Sequence, residues 1–405
     1  MVLLPSGLLF YNVLIIRVMR IFFALLLPIV FLSGGGIWPW GAFSAHQQEA
    51  IQTEPSADTL TLMFIGDVMS HSPQVTAAKL ADGTYDYAPC YRFLAPYIAS
   101  ADLCIANMEV PLAGEPYTGY PQFSCPDQMM SQLFDAGVDV FLTSNNHTCD
   151  KGAKGLRRTI HVMDSLGIPH VGTYLDSADF NRRNPLIIDK NGFRIAVLNY
   201  TYGTNGIPAP KPFIVNLLDS ASIARDVARA KELEADFIVV MPHWGIEYER
   251  HQNKAQERFA RYMYECGADM VVGGHPHVVQ PITLENRNEQ GVAQRVTAYS
   301  LGNFVSNQRK RYTDGGIIVK CEIVKQSSGE QQITSYEYLP YWVYKGICQG
   351  MYQYHILPAK HAVENCTWYN IHGADSVALT QFYEDTKALI DSVPESMFSF
   401  SSATR

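Results

Sequence analysis

The chain has 405 residues, 47% of them hydrophobic and 17% charged, with a formal net charge of -8 at pH 7. That composition supplies a core for one large or two modest domains and excludes an extended disordered chain. No long basic run interrupts the acidic balance, so nucleic acid is excluded as an expected partner.

In chain order, the first feature is N-terminal. Arg17 and Arg20 flank the start of an apolar run over 21–32, and small residues lead to Ala42-Phe43-Ser44. Positive charge, apolar run and small residues in that order read as an export signal. The run alone is too short to span a bilayer, and counting from Gly7 places Arg17 inside it, which is costly. Residues 1–45 are therefore expected to be either a cleaved signal peptide or an N-terminal membrane anchor. The rest of the chain is expected in the periplasm or on the outer face of the cytoplasmic membrane. Residues 46–58 are polar and read as a linker.

From residue 59 onward, apolar runs alternate with amphipathic segments. Strands are predicted over 60–65, 103–106, 138–143, 195–199, 237–241, 270–272 and 296–300. Helices are predicted over 129–136, 156–166, 220–233 and 255–266. This alternation argues for a layered α/β domain over 59–325. Longer alternating strands over 316–324 and 333–344, a Trp/Tyr-rich stretch and a helix over 376–392 follow. Residues 326–405 are thus expected to complete or extend the domain. The chain has 8 cysteines, none in a C-x-x-C pair, so a zinc ribbon is excluded and small buried hydrophobes are expected.

Strand after strand ends in a polar cluster. The first runs into Gly66-Asp67, the second into Asn107-Met108-Glu109, and the third into Asn145-Asn146-His147 with Asp150 beyond. Later ones end in His243-Trp244, Gly274-His275-Pro276-His277 and Ser300-Leu301-Gly302-Asn303. In open α/β sheets the functional crevice lies outside the carboxyl ends of the strands. Turn formation is the plain alternative for Gly66-Asp67, and a packed core histidine is the alternative for His243. Two imidazoles one residue apart in a Gly/Pro loop are seldom needed for packing. Together Asp67, Glu109, Asn146, His243, His275 and His277 form a mixed carboxylate, amide and imidazole set. Such a set suits divalent Mn, Fe or Zn, with Mg less favoured. Two such ions would clamp a phosphoryl or related group.

The segments IGDVM (65–69), ANMEVPLAG (106–114), SNNHTCDKG (144–152), PHWGIEYE (242–249), GGHPHVVQP (273–281) and YSLGNFV (299–305) resemble, in order and spacing, the CapA family of capsule and poly-γ-glutamate biosynthesis proteins. That family is a branch of the calcineurin-like metallophosphatases. The resemblance implies a four-layer α/β/β/α sandwich with a small C-terminal extension. It matches Asn146-His147 and Gly274–His277 to superfamily motifs and places Glu109 where a metal-bridging Asp usually stands. On a hydrolase reading, His147 is expected as the general acid or as stabiliser of the developing negative charge, with Asp150 orienting it, and Trp244, Glu247 and Asn303 as substrate-binding positions. One departure stands out: where the superfamily carries Asp-x-His, this chain has Asp67-Val68-Met69, with His71 out of register. Two functions follow as expectations. One is an exported metal-dependent hydrolase acting on a cell-envelope or capsular polymer. The other is a non-catalytic accessory protein that binds an anionic polymer beside a membrane synthase complex, with Arg157, Arg158, Arg182 and Arg183 as its candidate basic patch.

Overall fold

The structure, a computed structural model, describes residues 58–400. The expected export segment lies outside the described residues, as does the linker apart from Asp58. No helix among the described residues is long and apolar enough to cross a membrane.

Two mixed sheets face one another. The eight-stranded sheet is ordered Met351–Pro358, Gln331–Cys348, Gly315–Lys325, Asp58–Val68, Leu103–Met108, Val140–Leu142 and His170–Val171, and Asn303–Val305 also pairs with Asp58–Val68. The six-stranded sheet is ordered Ile282–Arg287, Ala293–Ala298, Met270–Val272, Phe237–His243, Phe193–Thr201 and Leu186–Lys190. The central strands of each run parallel.

Alternation along the strands builds the layers. Leu60, Leu62 and Phe64 point between the sheets, where they meet Ile195, Val197, Val239 and Val272. Met63 and Ile65 point the other way, into an apolar layer with Leu94, Met129, Leu133 and Met163 from the helical segments. Across the molecule, Ala196, Leu198, Ile238 and Val240 pack beneath Ile223, Val227 and Met263. These last side chains come from the helices Ser220–Glu232 and Lys254–Cys266. The result is the expected α/β/β/α order.

Local chemistry sets the helix ends. Asp219 caps the first of these helices by accepting a hydrogen bond from Ser222 N at 2.9 Å. Asn253 and Gln256 form a reciprocal capping box on the second, and Gly267 closes it at φ 113°. All eight cysteines are free thiols, and six are buried.

The C-terminal strands extend the first sheet as an antiparallel meander. Helices Ala359–Glu364 and Ala374–Leu389 cover it through Trp342, Leu357, Leu379 and Phe382. One departure from expectation matters for the site. The strand predicted over 296–300 ends at Ala298. The chain then leaves the second sheet, and Asn303–Val305 joins the first strand in parallel, with Asn303 opposite Asp67. Residues 299–303 therefore tie the two sheets together at the strand ends.

Candidate metal centre

The site starts from a bulge. The pairing of the first strand with Leu103–Met108 shifts register between Ile65 and Asp67, and such an irregularity re-aims the side chains beyond it. Gly66 permits it: a Cβ there would lie 2.0 Å from the carbonyl oxygen of Gly302. Asp67, fully buried, accepts from Asn107 Nδ2 at 2.7 Å and from His275 N at 3.1 Å, and its Oδ2 lies 3.3 Å from His277 Nδ1. Gly274 is equally constrained, since a Cβ would approach Asp67 Oδ1 to 2.6 Å. The next loop holds His275 at φ 100° and His277 at φ 58°. Non-glycine residues in this region are strained and persist where the surroundings dictate them, commonly at ligand clamps.

Glu109, at the end of the second strand, is the common member of two ligand groups. Ligand atoms of Glu109, His243 and His275 lie within 4.8 Å of one another, and so do those of Asp67, Glu109 and His277. Asn146 adds an amide oxygen to the first group, 3.0 Å from His243 Nε2. Asn107 braces both groups from beneath, its Nδ2 also lying 3.2 Å from His243 Nδ1.

The electrostatics are those of a donor set only partly compensated by hydrogen bonds. Both carboxylate oxygens of Glu109 and Nδ1 of His275 are buried with no hydrogen-bond partner. Burial, reinforced by the Asp67 charge, pushes the Glu109 carboxyl well above the carboxylate range. Burial likewise lowers His243 to about 3 and His275 to about 2, so both imidazoles are neutral. Burial works against charge on Asp67 too, but the His277 imidazole at its Oδ2 and the Asn107 amide hold it at about 2. Burial also disfavours charge on His277, but Glu109 and Asp67 outweigh it and raise the imidazole to about 9. Unpaired buried acceptors beside neutral imidazoles are groups that a divalent cation satisfies, and the residues fit such an ion.

Beside this cluster stands His147. Its Nδ1 lies 2.9 Å from Asp150 Oδ2, which also accepts from Phe123 N at 2.7 Å. Phe123 meets the imidazole edge-on at 4.6 Å between centroids. The ring is thus fixed through one nitrogen, close enough to act electrostatically on Glu109, His243 and His275.

A family model described as bacterial capsule synthesis protein PGA_cap matches residues 61–308, the stretch that carries every one of these groups. The chain belongs to the PGA_cap family. The capsule biosynthesis protein CapA of Bacillus anthracis is 30% identical over 279 residues, covering 66% of this chain and 64% of that protein. The PGA biosynthesis protein CapA of Bacillus subtilis (strain 168) is 29% identical over 289 residues, covering 69% and 72%. The chain therefore spans just under two thirds of the first relative's length. Among solved structures, the calcineurin-like phosphoesterase YfkN from Bacillus subtilis aligns with a TM-score of 0.41 at 12% identity, over 83% of this chain and 99% of that one.

Within this PGA_cap chain the residues expected to hold metal come together. The expected substrate-binding residues do not all join them. Trp244, expected on the pocket wall, is buried in the outer core of the second sheet and donates from Nε1 to Tyr299 O at 2.9 Å. It supports Gly273 from behind, because the strand's alternation turns it away from His243. Asn303 is fully buried; its Nδ2 reaches Gln308 Oε1 and Thr313 O at 2.9 Å and His277 O at 3.3 Å. It fastens the histidine loop. Glu247 is exposed, with a carboxylate oxygen among the ligand atoms of His275 and His277.

The expected basic patch is also otherwise engaged. Arg158 pairs with Asp127, Arg182 and Arg183 pair with Asp179, and Arg157 lies over Phe213. Two aromatics went unremarked in the sequence. Tyr202, 49% exposed, lies 4.6 Å from His275 between ring centroids, and Tyr248 lies 6.2 Å from His277. Tyr202 directly follows the strand Phe193–Thr201. The strand-end rule that marks the histidines also marks this residue.

Proposed function

We propose that this protein is an exported, metal-dependent hydrolase that acts on an anionic cell-envelope polymer during capsule or poly-γ-glutamate synthesis. The observation that carries the reading is the pair of ligand groups sharing Glu109, with an oriented His147 beside them. Asp67, Glu109 and His277 would hold one ion, and Glu109, Asn146, His243 and His275 the other. Imidazole-rich ligation favours Mn, Fe or Zn over Mg. The ions would supply Lewis acidity toward a phosphoryl or acyl oxygen.

The protein's own groups do the rest. Asp150 accepts the His147 Nδ1 proton and so fixes the ring, leaving Nε2 to give a proton to the leaving group. Tyr202 and Tyr248 border the mouth and limit access of water.

The accessory reading is favoured by one observation, the Asp67 side's shortage of a ligand at Met69. Full-length protein loaded with Mn2+ separates the two readings. Turnover of bis(p-nitrophenyl) phosphate or cleavage of poly-γ-glutamate, abolished by chelation, is the expected result. Retention of the polymer with neither substrate cleaved would decide for the accessory reading.

The proposal of export rests on Arg17, Arg20 and the apolar run that follows. Residues 1–58 fused to a reporter active only outside the cytoplasm should yield activity. A silent, stably expressed fusion would count against export.

A further inference from the structure

The Asp67 side of the centre has three protein ligands, Asp67, Glu109 and His277. The first strand offers no fourth. Met69 is 2% exposed and packs in the apolar layer with Val68 and Phe304. His71, at the N-cap of the helix Ser72–Ala78, belongs to none of the ligand groups, and its Nδ1 accepts from Asn307 N at 3.3 Å.

A different element reaches the ligand nitrogens. Ligand atoms of Glu247, His275 and His277 lie within 4.8 Å of one another. Each of these histidines also belongs to one of the two groups built on Glu109. The loop that carries Glu247 leaves the strand of His243 through Gly245, at φ 96°. It is fastened to the histidine loop on both sides: Trp244 N donates to Gly274 O at 3.1 Å, and Tyr248 N donates to Pro276 O at 2.8 Å. Glu247 is thus held beside the two imidazoles at the solvent-exposed end of the group. An exposed carboxylate gains little from a surface ion pair. A carboxylate oxygen held within 4.8 Å of the ligand nitrogens of two histidines has a use as a metal ligand, because a divalent cation takes oxygen and nitrogen donors together.

We propose that Glu247 is a metal ligand that closes the solvent side of the centre and supplies the position that the first strand leaves open at Met69. This rests on the metal-centre reading above. The test uses full-length protein, stripped with chelator, titrated with Mn2+ by calorimetry and counted for bound metal after desalting. Wild type should retain about two ions per chain, as a dinuclear site requires. E247Q should retain one, with that ion's affinity unchanged, and H71Q should retain both. Because Glu247 is exposed, E247Q should melt as wild type does in the absence of metal. Two ions in E247Q at wild-type affinity would overturn the role of Glu247 and leave the centre standing. Loss of the second ion from H71Q and not from E247Q would transfer the role to His71. A wild type that binds no Mn2+ would remove the centre itself, and Glu247 with it.

Discussion

Replacing His275 with Ala is expected to empty the centre. His275 is shared between the group containing Glu109 and His243 and the group containing Glu247 and His277. Its Nδ1 is buried without a hydrogen-bond partner, so no internal hydrogen bond through that atom is lost with the ring. Removing a direct ligand opens a coordination position that the buried surroundings cannot refill. Bound Mn2+ should fall from about two ions to fewer than one. A ligand that binds only the folded state stabilises it by mass action. The rise in melting temperature that Mn2+ gives wild type should therefore vanish in H275A, while the metal-free melting temperatures stay close. A variant that still binds two ions and still responds to Mn2+ would refute the ligand role.

Replacing His147 with Ala should separate chemistry from metal. The imidazole is held by Asp150, and it belongs to none of the ligand groups. H147A should retain the metal of wild type and lose about 10²- to 10⁴-fold in rate, the usual contribution of a positioned general acid. Asp150→Asn should lose less, about 10- to 100-fold, as an orienting partner does. A helix-capping role for His147 is not available, since Lys151 stands at the N-cap of Gly152–Ser165 with no side-chain cap. Equal metal loss in H147A and H275A, measured on the same preparations, would show that the two histidines have the same role.

The ligands were legible because each follows an apolar run, and parallel strands bring such ends to one edge. The strands were equally readable, as continuous apolar runs, wherever both faces are buried, as in Asp58–Val68 and Phe237–His243. The edge strands were not. Leu186–Lys190 and Ile282–Arg287 are half-buried to exposed and carry too few apolar residues for a periodic signal. Trp244 and Asn303 were misplaced for different reasons. Trp244 follows a ligand in sequence, but successive strand residues face opposite sides. Asn303 follows a passage from one sheet to the other, which depends on the packing of Gly302 against Gly316 and Gly66 and leaves no local pattern. Glu247, expected as a substrate-binding position, gives no sign in the sequence of reaching the ligand nitrogens; the backbone bonds from Trp244 and Tyr248 bring its loop onto the histidines.

The division of the ligands between the sheets has a thermodynamic consequence. Asp67, Glu109 and Asn146 come from the ends of one sheet, and His243, His275 and His277 from the ends of the other. A cation between them would act as a rivet through the sandwich, joining groups as remote as His275 and Asp67, which are 208 positions apart in the chain. Neither half presents a complete set of donors before the two have docked, so ion capture rewards only the finished assembly. Each tenfold rise in free ion above its dissociation constant then adds about 1.4 kcal/mol per site. The supply of metal around the protein would thereby become a setting for how firmly its two halves hold together.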